Sequence, residues 1–168
     1  MASVIAYKSL APDAVGPFTG HRWEVDRWVE VGTLDPCRRG IHACRVRDLP
    51  IWLDAELWEI ELDGDIVEQD RKVVASRGRL TRRIDGWTPL VAQRFGRSCA
   101  RRVRLRYGHL PQLSGFVVDI ERFVAQRRIP IAGFAAARAA ELAGGAAGYE
   151  AERLTQSGWL AAELELGR

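Results

Sequence analysis

Long apolar runs are missing from this sequence: no stretch approaches the roughly 20 consecutive apolar residues that a membrane-spanning helix needs. The first ten residues also lack the charged leader and apolar block of a secretory signal peptide. We therefore expect a cytoplasmic protein that binds no membrane. Large aliphatic residues are not depleted and no segment is of low complexity, so the chain of 168 residues is predicted to fold rather than to remain disordered.

Cysteine and lysine are both scarce. The three cysteines, Cys37, Cys44 and Cys99, are an odd number in a chain without an export signal, which predicts reduced thiols rather than a disulfide framework. Lys8 and Lys72 are the only lysines among 25 basic residues, and such an arginine bias is typical of GC-rich bacterial genomes. The net charge of +3 is too small to indicate nucleic-acid binding by itself.

The first half of the chain has the pattern of short β-strands. A turn is predicted at Asp63-Gly64. Asp48 is predicted to cap a short helix that includes residues 51–53. Segments rich in β-forming residues and separated by breakers predict strands or extended segments at 4–10, 23–31, 40–45, 56–62 and 72–76.

The second half changes to a helical period. Thr88-Pro89 predicts the start of a helix in which apolar residues recur every four positions until Gly108. A second helix is predicted to end at Pro130, and a third to begin near Phe134 and to be interrupted at Gly144-Gly145. We expect an α+β fold, with a small, mainly antiparallel sheet packed against a C-terminal helical layer. Residues 1–86 and 87–168 are expected to share one core in a single domain.

One cluster, Cys37-x-x-Gly-Ile-His42-Ala-Cys44, combines cysteine and histidine, which are residue types found in metal sites and catalytic sites. On a strand His42 and Cys44 point to the same face, about 6 to 7 Å apart, which is too far for a direct nucleophile–base pair. Together with Cys37 and His21 they have the ligand types of a zinc site, but paired Cys-x2-Cys spacing is absent, so no metal is favoured. A half-buried histidine with cysteines packed as small apolar residues is the remaining interpretation.

The cluster is also part of a resemblance to a known domain family. The sequence resembles an uncharacterised bacterial and phage domain family in four segments: Tyr7-Lys8, the cluster, Trp58-Glu59-Ile-Glu61 and Lys72-Val-Val-Ala75. That family carries a Cys-x-x-Gly-Phe-His-Ala-Cys signature, from which Ile41 departs. The resemblance covers roughly residues 4–84 and implies an organisation but no activity.

A looser similarity is to the ADP-ribosyltransferase fold, in which strands surround a bound NAD. It implies Lys8, His42 and Glu59 or Glu61 as candidate site residues. The sequence departs from that fold because fewer strands can be placed before residue 84 and no Ser-Thr-Ser-like element is present.

Several charged residues have two interpretations. Glu59 and Glu61 share one face of a predicted strand, either as its solvent face or as general bases in a cleft. Arg102 and Arg106 project toward the apolar side of their helix, so Arg106 is expected at the apolar interface with an anionic partner, either an internal carboxylate such as Glu121 or Asp119 or a ligand. Four arginines form a separate stripe that is either solvated or phosphate-binding, although it lacks stacking aromatics: Arg94, Arg97, Arg101 and Arg104.

These patterns favour a small bacterial enzyme or binding protein that takes an anionic small molecule into an aromatic-lined pocket. The candidate catalytic residues are His42 as acid/base with Glu59 and Glu61, and the candidate ligand-binding residues are Arg106, Lys8, Tyr7, Trp58 and Arg102. No cofactor is predicted, with zinc and NAD as the alternatives considered. A partner-binding regulatory or immunity protein and a nucleic-acid binder are the competing functional classes, and the pattern leaves homo-oligomers open.

Overall fold

The computed structural model describes residues 3–36 and 38–167 and divides the chain into two compact units, Met1–Trp87 and Thr88–Arg168. The first unit contains the strands and the second consists of helices, so the predicted α+β class is confirmed. The boundary falls one residue after the predicted change at 86/87. That the two halves share one core stays a prediction.

The first unit is built on antiparallel ladders. Its strands are β1 (Val4–Leu10), β2 (Val29–Glu30), β3 (Ile41–Ala43), β4 (Glu56–Gln69) and β5 (Lys72–Arg83), and a short helix, α1 (Leu49–Trp52), lies between β3 and β4. The strand order is β1-β4-β5-β2, and β3 pairs with β5 as well. Every predicted strand segment thus contains a strand, although only Val29–Glu30 of the segment 23–31 is regular.

A single bridge closes this sheet into a ring. Tyr7 on β1 and Cys44, just after β3, exchange both backbone hydrogen bonds, at 2.9 and 2.8 Å. Because β3 also pairs with β5, the strands follow one another as β1, β4, β5, β3 and back to β1. Alternate residues of a strand face opposite sides, so one set lies inside the ring and the other outside.

The inside of the ring holds the core of the first unit. The buried cluster includes alternate residues of each strand, such as Ala6 and Leu10 on β1 and Ile60 and Leu62 on β4. Ile41 and Ala43 belong to the same cluster, which leaves His42 on the opposite face of β3, as the alternation predicts.

The predicted turn at Asp63-Gly64 is wrong. β4 continues to Gln69, and the reversal falls at Asp70-Arg71 instead. Gly64 has a positive φ of 76°, and the pairing of β4 with β5 shifts register between Asp63 and Ile66. A glycine with positive φ suits a bulge as well as a hairpin turn, which explains why the dipeptide was misleading. Asp48 does precede α1, but its side chain makes no capping hydrogen bond.

Over residues 88–167 the second unit contains three α-helices: α2 (Pro89–Tyr107), α3 (Ser114–Ala125) and α4 (Ile129–Glu163). The predicted cap is confirmed, since the Thr88 hydroxyl accepts a hydrogen bond from the amide of Val91 at 3.2 Å. The break in α4 at Gly144 and Gly145 is also confirmed by their non-helical dihedral angles. Pro130 lies in the first turn of α4 rather than at the end of α3, because proline is tolerated where the helix leaves amides unpaired.

In the residues that the structure describes, none of these helices has the length and apolar content needed to cross a bilayer.

Candidate functional site

A cleft of about 150 Å³ lies on the outside of the first unit, where β1 and β3 meet. The Tyr7–Cys44 bridge brings these two strands together, so residues far apart in the sequence share one surface. The lining of the cleft comes from β1, β3, α1, the start of β5 and the loop after β1: Tyr7, Lys8, Ser9, Pro17, Phe18, His42, Ala43, Cys44, Trp52 and Lys72.

Lys8 is a half-buried cation that alternates with Ala6 and Leu10 and lies opposite Trp58, so its side chain leaves β1 on the inner face and lines the cleft where β1 meets β3. Its Nζ donates a hydrogen bond of 2.7 Å to the backbone oxygen of His42 and lies 5.2 Å from the centre of the Trp23 ring. Burial lowers the pKa of Lys8 from 10.5 to about 8, and the nearby Cys44 opposes this only in part. Lys8 is therefore a cation that the protein itself neutralises poorly.

Lys72, at the start of β5, is the second cation of the cleft. Its Nζ donates a hydrogen bond of 3.2 Å to the backbone oxygen of Pro36. Within residues 3–36 and 38–167, neither Lys8 nor Lys72 forms an ion pair with a carboxylate. The only two lysines of the sequence thus line one cleft, and the described part of the chain supplies no carboxylate counter-ion to either.

His42 lies between these charges. Burial lowers its pKa, and Lys72 and Lys8 lower it further, so the imidazole is uncharged at neutral pH. Its Nε2 is inaccessible to solvent and has no hydrogen-bond partner among the described residues. Leaving a buried polar atom unpaired costs about 1 to 3 kcal/mol.

The polar side chains beside His42 differ in reactivity. Burial raises the pKa of the Cys44 thiol to about 12, so Cys44 is a protonated, inert thiol at neutral pH. This disfavours the nucleophilic cysteine considered from the sequence. The buried Oγ of Ser9 has no hydrogen-bond partner among the described residues, and it is the second unpaired polar atom in the lining.

The cleft has aromatic walls, which include Tyr7, as the sequence predicts, but not Trp58. Trp52 on α1 is held by a hydrogen bond of 2.7 Å from its Nε1 to the backbone oxygen of Arg71, and Phe18 is 89% exposed at the rim. Tyr7 is buried and also lines the cleft. Trp58, which was expected to bind the ligand, belongs instead to the buried core and donates a hydrogen bond to Glu56.

Glu59 and Glu61 do not line the cleft. Glu59 pairs with Arg82 at 3.1 Å and Glu61 with Arg79 at 2.8 Å across the β4–β5 ladder. The hydrogen bond from Arg79 holds the pKa of Glu61 below its usual range, which is the opposite of what a general base working near neutral pH requires. The geometry therefore supports the interpretation of this carboxylate row as a surface ladder of ion pairs.

Arg102 and Arg106 lie on α2, in the helical unit, and the prediction that Arg106 is at the apolar interface is wrong. Arg106 is exposed, whereas Arg102 is half-buried and pairs with Glu152 of α4 at 2.7 Å. The helical phase places Arg102 next to Cys99, and Glu152 was not considered because α4 brings it there from 50 residues away. Glu121 and Asp119, the suggested partners, pair with Arg104 and Arg122 instead.

No group of three or more potential metal ligands is found in the parts of the chain that the structure describes. His21 is exposed and makes an edge-to-face contact with Trp23, with ring centres 5.3 Å apart. Cys37 lies outside the described residues. Of the described members of the suggested zinc set, His42 and Cys44 line the cleft and His21 does not.

Sequence reasoning missed Ser9, Phe18, Trp52 and Lys72 as cleft residues. Lys72 had a detectable signal, because it is one of two lysines in an arginine-rich chain and Lys8 was already a candidate. The others reach the cleft through the ring closure and the loop after β1, which no local pattern indicates.

A family model for a domain of unknown function, DUF7666, matches residues 4–92, which is just over half of the chain. No match is found among curated proteins or among solved structures. The matched region spans all five strands and the cleft, and the expectation of an uncharacterised domain family is confirmed. This chain belongs to the DUF7666 family of domains of unknown function.

Proposed function

We propose that this protein is a small bacterial, cytoplasmic enzyme or binding protein whose cleft takes up a small anionic molecule. The observation that supports the proposal is that Lys8 and Lys72 both line one cleft and both act on the charge of His42, while neither pairs with a carboxylate of residues 3–36 and 38–167. A half-buried cation without a counter-ion is costly, and an anionic ligand removes that cost.

The size and walls of the cleft limit the ligand further. A space of about 150 Å³ suits a group of about the size of a benzene ring, and Trp52, Phe18 and Tyr7 offer apolar or flat surfaces to it. His42 supplies an uncharged imidazole for hydrogen bonding, and an acid/base role for it is part of this proposal. NAD is far larger than this space, so the geometry favours a small anion over a dinucleotide.

The arginine stripe on α2 gives less support to a nucleic-acid binder. All four side chains are exposed, and two of them pair with carboxylates, Arg94 with Glu163 and Arg104 with Glu121. This pairing favours a solvated, partly neutralised face over a phosphate-binding one.

Benzoate, which combines a flat ring with a carboxylate, is a suitable probe. We expect the wild-type protein to bind benzoate and Lys72→Met to bind it about 10- to 100-fold more weakly, because a hydrogen bond to a charged group contributes about 1.5 to 3 kcal/mol. Isothermal titration calorimetry measures both affinities, and quenching of tryptophan fluorescence gives an independent signal.

Arg27→Met is the matched control. It removes one positive charge from an exposed side chain that does not line the cleft and should leave benzoate binding unchanged. Benzyl alcohol has the same ring without the charge and should bind much more weakly. Equal weakening by Arg27→Met, or equal binding of benzyl alcohol, would contradict an anion site in this cleft.

A further inference from the structure

The choice of lysine in the cleft is unusual for this chain. Of 25 basic residues only two are lysines, and both line the cleft. For anion binding alone arginine is the better residue, because its planar fork makes two parallel hydrogen bonds to a carboxylate and never loses its charge. A lysine adds one property that arginine lacks, a primary amine that can lose its proton and attack carbon.

We propose that the anionic ligand is a carbonyl compound, a 2-oxo acid or an anionic aldehyde, which the Nζ of Lys8 captures as a protonated imine while Lys72 holds the carboxylate. This inference rests on the proposed anion site. Lys8 is the reacting amine because its Nζ contacts a backbone carbonyl and the Trp23 ring, and no carboxylate of the described residues fixes it as a cation.

The surroundings of Lys8 support this role. Burial lowers the pKa of Lys8 to about 8, so about one amine in ten is unprotonated at pH 7, far more than for an exposed lysine. Lys72 lines the same cleft and hydrogen-bonds to the backbone oxygen of Pro36, which leaves its charge available to a carboxylate.

The step balances without a further reactant. The ammonium of Lys8 releases one proton, and the nitrogen lone pair attacks the carbonyl carbon while the carbonyl electron pair moves to oxygen. The oxygen takes up two protons, both from the nitrogen, and leaves as water, so one ammonium and one carbonyl give one protonated imine and one water. His42, an uncharged imidazole in the same lining, is the group that relays these protons.

Borohydride trapping with pyruvate tests the inference. We expect one reduced pyruvate adduct per chain, located at Lys8 by peptide mass spectrometry and suppressed by excess benzoate. Mapping is unambiguous because Lys8, Lys72 and the α-amino group are the only primary amines. Lys72→Arg keeps the cationic anchor and should still give the adduct at Lys8, whereas Lys8→Arg keeps the charge and should give none.

The outcomes separate the two proposals. Benzoate binding without a pyruvate adduct at Lys8 would overturn the imine and leave the anion site standing. An adduct spread evenly over Lys72 and the α-amino group would also overturn it, as nonspecific labelling. Absence of both benzoate binding and adduct would overturn the anion site too. Because the mapping uses wild-type protein, a folding defect in Lys8→Arg does not affect these conclusions.

Discussion

Glu152→Ala is expected to lower the free energy of unfolding of the helical unit by about 3 to 5 kcal/mol, because it removes one partner of a buried ion pair. The side chain of Glu152 is only 3% exposed and that of Arg102 only 16%. Three hydrogen bonds of 2.7 to 3.2 Å join the Arg102 guanidinium to the Glu152 carboxylate. Without that carboxylate, a half-buried guanidinium loses its counter-ion.

The loss extends beyond the pair. Gln156 is fully buried and donates to Glu152 at 3.0 Å and to the backbone oxygen of Gly133 at 2.9 Å, while Arg153 donates to Gln156. Removing Glu152 therefore removes an acceptor that Arg102 and Gln156 share, and hydrogen-bond networks of this kind contribute more to stability than isolated pairs do.

Glu121→Ala is the control for this prediction, since its pair with Arg104 is about half exposed on both sides. Exposed ion pairs contribute at most about 1 kcal/mol, so this variant should unfold close to the wild type. Urea unfolding followed by circular dichroism measures both. Similar midpoints for the two variants would mean that the Arg102–Glu152 pair is solvated in solution rather than buried.

The sequence predicted the elements of the fold better than their connections. Local signals predicted the alternation of β1 and β4, the Thr88 cap and the glycine break in α4, because each depends on residues that are close together in the sequence. The Tyr7–Cys44 bridge and the pairing of Arg102 with Glu152 join residues 37 and 50 positions apart, and nothing in either local pattern specifies the other partner.

The same distinction explains the candidate site. His42, Lys8 and Tyr7 were predicted because they lie in the motif-bearing strands, and the structure brings them together in the cleft. Glu59, Glu61 and Trp58 lie on a neighbouring strand. The two carboxylates pair with Arg82 and Arg79, and the indole of Trp58 packs in the core. The alternation along each strand determines which face of the strand a residue occupies. The Tyr7–Cys44 bridge, which closes the ring, determines which strands lie side by side.

Relative to Lys8→Met, the wild-type protein is expected to gain stability as the pH rises from 8 to 10.5. Burial lowers the pKa of Lys8 to about 8 in the folded protein from 10.5. Between these values the unfolded chain holds more protons than the folded chain, so the free energy of unfolding increases with pH. The full interval corresponds to about 3 kcal/mol, and no slope from Lys8 is expected below pH 8.

The difference between the two proteins is the quantity to measure, because the cysteines act in the opposite direction. Burial raises the pKa of Cys44 from 9.0 to about 12, so the stability that its protonated form contributes is lost as the pH rises above 9. Cys99 behaves likewise. Both thiols are present in wild type and Lys8→Met, so their effects largely cancel in the difference between thermal unfolding curves recorded at each pH. A difference that stays flat from pH 8 to 10.5 would mean that the Lys8 amine is solvated, and both the anion site and the imine would lose the half-buried cation on which they rest.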